Sequence, residues 1–202
     1  MYMFCCEKSS LHFGSSYDVC IDAVKMRGSL LKYMNEQTHE LCMLAVNNDG
    51  HALQFVNDQT DDVCIEAIRN DGYAMVYVRN QTYDLCMKAL DISCFTIAYI
   101  REQTEDMCIK AVRKYGLLLS YVKNKTYDVC MEAVKECGLA LSYVEDQDED
   151  ICLTAVKQNG LALEYVKKQT YDICLTAVKK NIMATKYVNN EFIDDINKLI
   201  NQ

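Results

Sequence analysis

The chain has 202 residues and a formal net charge of −8, with 21 Lys and Arg against 29 Asp and Glu. Half of it is apolar and a quarter charged, as in ordinary folded proteins, but it has no Pro, no Trp and 12 Cys. The acidic balance disfavours nucleic acid and anionic membrane, which need a basic surface to meet phosphate. Without Pro, which breaks helix interiors, the chain reads as helical almost throughout.

Residues 1–14 carry neither a signal-peptide pattern nor an apolar run long enough to cross a membrane. The expected setting is therefore intracellular and cytoplasmic, where thiols stay reduced. The segment resembles a decayed copy of the short helix described below and is expected to act as an N-terminal cap.

From residue 15 the chain repeats itself. Cys recurs at 20, 42, 64, 86, 108, 130, 152 and 174, each time followed three residues later by Ala, from Ala23 to Ala177. An aromatic residue closes each copy, from Tyr33 and Phe55 to Tyr165 and Tyr187. Eight copies of 22 residues fill 15–190 with no insertion or deletion. Such a period marks a repeat architecture.

Within each copy the positions explain one another. Four residues before the Cys stands Ser16, Thr38, Thr60, Thr82, Thr104, Thr126, Asp148 or Thr170, whose side-chain oxygen can cap a helix start. An acid follows two residues later, as at Asp128 and Asp150, where it complements the positive end of the helix dipole. Basic residues such as Lys135 and Lys157 sit near the opposite end. Gly then stands at 28, 50, 72, 116, 138 and 160, the place where a left-handed residue would end a helix. This predicts a first helix, running His39–Asn48 in the second copy. The following stretch, such as Leu139–Val144, has the apolar pairs Ala140/Val144 and Leu139/Tyr143 and predicts a second helix of about two turns. Cys94 and Ile182 replace the Gly, so a different turn is expected at Asp91–Phe95. A Gln usually leads into the next cap.

Residues 191–202 align with the first helix but lack its Cys, Ala and cap, and are expected to form a C-terminal capping helix. Helices this short are marginal alone, and their apolar faces are too wide for one neighbour. The expected fold is an all-α solenoid: eight tandem helix–turn–helix repeats with degenerate terminal caps, each burying its surface against the next.

The cysteine ladder reads as packing, since Cys and Ala are both small residues suited to close helix contact. Equivalent positions in stacked repeats are roughly 9–10 Å apart, beyond the ~7 Å limit for a disulfide. No short-spaced metal-ligand cluster occurs. Cys5, Cys6, Cys94 and Cys137 break the ladder and are the candidates for a redox role. His12, His39 and His51 occupy unrelated positions. With no catalytic motif, the expectation is no enzyme, no cofactor and no metal.

Binding is then expected at the variable positions. One follows the cap and carries Tyr17, Tyr83, Tyr127 and Tyr171 where other copies have His, Asp or Glu. These tyrosines either face water or lie over the neighbouring repeat. A second row has an apolar middle at Val76 and Ala98. These six residues are the candidate partner-binding set.

The motif Thr-x-Asp-[Val/Ile/Leu]-Cys-x-x-Ala-Val, followed by Gly-x-Ala-Leu-x-Tyr-Val, resembles an uncharacterised short helical-repeat family, a domain of unknown function met in amoeba-infecting giant viruses and protists. The resemblance implies a helical-repeat fold and brings no activity. The functional expectation is a non-enzymatic protein–protein interaction scaffold, in host cytoplasm if viral; the alternative is a self-assembling structural protein, a homo-oligomer.

Overall fold

A computed structural model describes residues 17–200. The expected N-terminal cap, Ser16, His12, Cys5 and Cys6 lie outside the described residues. Nine α-helices are described: α1 Tyr17–Met26, α2 His39–Asn48, α3 Asp61–Asn70, α4 Tyr83–Ile92, α5 Glu105–Lys114, α6 Tyr127–Glu136, α7 Glu149–Gln158, α8 Tyr171–Lys180 and α9 Asn190–Ile200. Each of α1–α8 is followed by a six-residue 3-10 helix, from Gly28–Tyr33 to Ile182–Tyr187, and no strand occurs among the described residues. The fold is an all-α solenoid of 22-residue units. It divides into two compact bodies, the first ending at Ile92 and the second beginning at Ser93.

The helix starts follow the cap chemistry. Thr38 Oγ1 accepts from the Leu41 N–H at 3.3 Å, and Asp148 Oδ1 accepts from the Ile151 N–H at 2.9 Å. In α3 and α5 the scheme is shared between two residues. The Thr60 and Thr104 hydroxyls donate to Asp62 and Asp106, and Asp62 accepts from the Val63 N–H at 2.9 Å.

The helix ends differ from the expectation. No described residue, glycine included, has positive φ. The α-helix stops instead at one extended residue, such as Cys137 at φ −139° and ψ 107°, and the Gly begins the 3-10 helix. The Gly suits a close approach to the next repeat. A Cβ on Gly138 would lie 2.3 Å from the Ala155 carbonyl oxygen of the next repeat, and one on Gly160 would lie 2.4 Å from that of Ala177. No left-handed turn is involved. Ser93, before Cys94, has φ −150° and ψ 119° like its counterparts, so the different turn expected at Asp91–Phe95 is absent. Ile182 stands at the equivalent position in the last repeat, and its side chain stays 56% exposed.

The second helix of each repeat is 3-10, with i→i+3 bonds such as Ala140 N–H to Cys137 O at 2.9 Å and Val144 N–H to Leu141 O at 3.0 Å. The three-residue period places Gly138, Leu141 and Val144 along one buried edge, and Ala140 is buried beside it. The expected i, i+4 faces therefore give way to an i, i+3 edge.

Within the second body α5 packs on α6, α6 on α7 and α7 on α8, while the 3-10 helices pack on one another and on the following α-helix. The first body repeats this arrangement over α1–α3 and their 3-10 helices. The result in each body is two layers, one α and one 3-10, with Cys, Ala and the adjacent Leu, Val or Ile between them. Helix α9 packs on α8 and buries Ile196 completely.

Candidate interaction surfaces

Within each body, polar side chains at fixed positions stitch successive repeats together. Gln147 Nε2 donates to the Leu141 carbonyl at 3.4 Å and to the Tyr165 carbonyl at 2.9 Å, while its Oε1 accepts from the Lys167 N–H at 2.9 Å. Gln37, Gln59 and Gln103 make the same set with their own neighbours. A second stitch runs backwards along the chain. Gln158 Oε1 accepts from the Gly138 N–H at 2.7 Å and Asn70 Oδ1 from the Gly50 N–H at 2.8 Å. These amides satisfy backbone groups that a buried turn would leave unpaired. The recurrence of Gln is visible in the sequence, but partners 18 and 20 residues away are not.

The thiols belong to the same network. Cys42, Cys64, Cys86, Cys108, Cys130, Cys152 and Cys174 are buried, and no disulfide joins any two of the ten described cysteines. Cys152 Sγ donates to Gln147 Oε1 at 3.8 Å and Cys174 Sγ to Gln169 Oε1 at 3.2 Å. Burial pushes the thiols of Cys64, Cys108, Cys152 and Cys174 up to about 11, helped by neighbouring carboxylates. Such thiols are poor nucleophiles at neutral pH. Cys94 and Cys137 are half-buried.

The post-cap row reaches across repeats while remaining partly in water. Tyr17 donates its hydroxyl proton to Glu40 Oε2 at 2.8 Å and lies 3.0 Å from Thr38 Oγ1. His39 pairs with Asp62 at 3.1 Å, and Glu105 accepts from the Thr126 hydroxyl. Tyr171 meets Phe192 edge-on with ring centroids 6.4 Å apart. Tyr83 is exposed. Tyr127 is 49% exposed, and its phenol is raised above its ordinary range by desolvation and by Asp148, Asp150 and Asp128.

Tyr127 also stands between two concavities of the second body. The larger, about 640 Å³, crosses the outer faces of α5–α7 over the floor residues Ile109, Met131 and Leu153. Asp128 and Asp150 line its edge at the helix N-termini, and Arg113, Lys135 and Lys157 its edge at the C-termini. Glu132, midway, receives Arg113 at 2.6 Å and Lys135 at 2.7 Å. Those two cations hold its carboxyl below the usual range, Lys135 contributing most. The smaller, about 400 Å³, has Lys123 and Lys125 facing Glu145, Asp146 and Asp148.

The 3-10 layer presents a different surface. In three successive repeats of the second body the closing aromatic residue is half exposed, at 54% for Tyr121, 41% for Tyr143 and 38% for Tyr165. In the first body the Lys32 ammonium lies over the rings of both Tyr33 and Phe55, 4.7 and 5.8 Å from their centroids. Farther along, His51, Tyr73 and Tyr77 pack edge to face, with Asp49 and Asp71 within 3.5 Å of the imidazole. Sequence reasoning placed this aromatic row in the framework. Its exposure depends on which edge of the 3-10 helix it occupies. Val76 is exposed in the first body and Ala98 half-buried in the second.

Among the described residues no group of three His, Cys, Asp or Glu is placed to hold a metal, and no helix is long and apolar enough to cross a membrane. No curated protein and no solved structure matches the chain. A family model described as "Domain of unknown function (DUF4116)" matches residues 38–81, 104–147, 126–170 and 148–193, together about two thirds of the sequence. Each matched segment spans two successive repeats, in keeping with helices that bury their faces only in pairs. The chain belongs to this helical-repeat family.

Proposed function

We propose that the chain is a non-enzymatic scaffold that binds a protein partner along the tyrosine row of its 3-10 layer. The observation that supports this most is the half-exposure of Tyr121, Tyr143 and Tyr165, one ring per repeat on one layer. The core does not need these phenol edges. Tyrosine gives large contact area at low entropy cost and is enriched at interfaces. Tyr127 is retained as a second contact because it projects beside two concavities. The contacts of Tyr17 and Tyr171 favour a stitching role instead. Val76 in the first body and Ala98 in the second are each retained as candidate contacts of their own body.

The non-enzymatic reading is supported by where the carboxylates sit. Asp128, Asp150 and Asp172 lie in the first turns of their helices, where the dipole accounts for them. The Asn-, Lys- and Ile-rich composition supports a source among amoeba-infecting giant viruses or protists, with host cytoplasm as the working compartment.

A photo-crosslinking residue placed at Tyr143 tests the proposal in lysate of the native host. The expected result is one dominant crosslinked protein, with capture of it by the native chain lowered at least ~10-fold in Tyr121→Glu/Tyr143→Glu. The variant should keep wild-type circular dichroism. Undiminished capture by the folded variant, or no crosslinked protein at all, overturns the proposal.

A further inference from the structure

The α layer carries a charge pattern that complements itself. On α6, α7 and α8 an acid stands in the first turn (Asp128, Asp150, Asp172) and a lysine near the last (Lys135, Lys157, Lys179). Seven residues at 1.5 Å rise separate each acid from the lysine on its own helix by about 10 Å, too far to pair. Because the helices lie side by side in one direction, the acids form one rim and the lysines the other. The apolar residues Ile109, Met131 and Leu153 lie between them in the groove of about 640 Å³. Lys135 is engaged by Glu132, but among the described residues no ion pair is made by Asp128, Asp150, Asp172, Lys157 or Lys179.

We propose that this face of α5–α8 docks on a second copy of the chain, the two related by a two-fold axis along the stacking direction. That rotation exchanges helix N- and C-termini across the contact, so each acidic rim meets the other copy's lysine rim. The competing two-fold, along the helix axes, sets acid on acid and lysine on lysine. Charge thus selects the partner and its orientation, in the isologous manner of two-fold dimers. Apolar centres and charged edges match interface anatomy.

Four helices, each about 15 Å long and about 9 Å apart, offer roughly 540 Å² per copy, below the ~800 Å² of a standard interface. The dimer is accordingly weak and salt-sensitive. It uses the layer opposite to the proposed partner row and shares only Tyr127 with that proposal.

Sedimentation velocity on the full chain from ~1 to ~300 µM tests the inference. The expected result is a dimer forming with concentration, with a dissociation constant raised at least ~10-fold between 50 and 500 mM NaCl. Lys157→Glu/Lys179→Glu and Asp150→Lys/Asp172→Lys should each be monomeric, and their equimolar mixture should form a heterodimer. The neutral pair Lys157→Gln/Lys179→Gln, gentler on the helix ends, should weaken the wild-type dimer by ~10-fold. A strict monomer at low salt, or a dimer indifferent to the neutral pair and to salt, overturns the inference. So does a mixture of folded charge-reversed variants that stays monomeric.

Discussion

The α-carbon of Gly138 faces the carbonyl oxygen of Ala155 so closely that a Cβ on it would lie 2.3 Å from that oxygen. The contact joins the start of one 3-10 helix to the α-helix of the next repeat. It accounts for the small residue at the Gly position and fixes how near two repeats can come.

Gly138→Ala should therefore destabilise the chain by about 1–3 kcal/mol, the range for forcing atoms into a filled site. The clash is with backbone, which cannot rotate away. Ile182→Ala, at the equivalent but exposed position, should shift stability by no more than about 0.5 kcal/mol. Urea unfolding of both variants checks the contrast; equal effects would contradict the close-approach account.

Gln147→Ala should cost about 1–3 kcal/mol, because the Tyr165 carbonyl and the Lys167 N–H lose their bonds to the amide. Lys125 occupies the same position one repeat earlier, and its side chain makes none of these bonds. Lys125→Gln should thus stabilise by about 0.5–1.5 kcal/mol. The midpoint of denaturant unfolding measures both signs. A neutral or destabilising Lys125→Gln would show that the amide ladder is incidental.

The ladder thiols give a pH dependence. Their ordinary value is 9.0 and the folded chain raises four of them to about 11. An acid whose folded pKa is raised holds its proton longer folded than unfolded. The stability it adds is complete below about pH 9 and is lost as pH climbs through 11. Thermal midpoints should fall steadily across that window, and less so in Cys152→Ala. At pH 8, Cys20, Cys94 and Cys137 should alkylate well before the buried seven, as mass spectrometry of a timed reaction will show.

Arg113, Glu132 and Lys135 form a surface triad, and such pairs are worth little in water. Glu132→Ala should cost at most about 1 kcal/mol and less at high salt. A larger, salt-independent loss would mean that Glu132 carries packing as well as charge.

How far the sequence could be read depends on the range of the physics involved. The α-helices were legible because cap, first-turn acid and closing residue all act within ten residues, and α2 falls at His39–Asn48 as the pattern requires. The second helix was misjudged because Leu139, Ala140, Tyr143 and Val144 satisfy i, i+3 and i, i+4 patterns alike. Gly138 was credited with a left-handed turn, its common local use, whereas its actual cause sits on the next repeat. Gln147 recurred without a visible reason for the same cause. Tyr17 could not be divided between water and neighbour by pattern alone. Tyr121 and Tyr143 recur as strictly as the core residues do, so recurrence alone did not mark them as exposed.

The account rests on each 22-residue copy being a packing module that contacts chiefly the copies before and after it. Inserting a second copy of residues 147–168 directly after residue 168 tests this most directly, with an eleven-residue insertion (147–157) at the same place as the control. The duplicated repeat should fold with wild-type helicity per residue and equal or greater resistance to urea, while the half-repeat should lose several kcal/mol or fail to fold. A full-repeat insertion as damaging as the half-repeat would contradict the modular account.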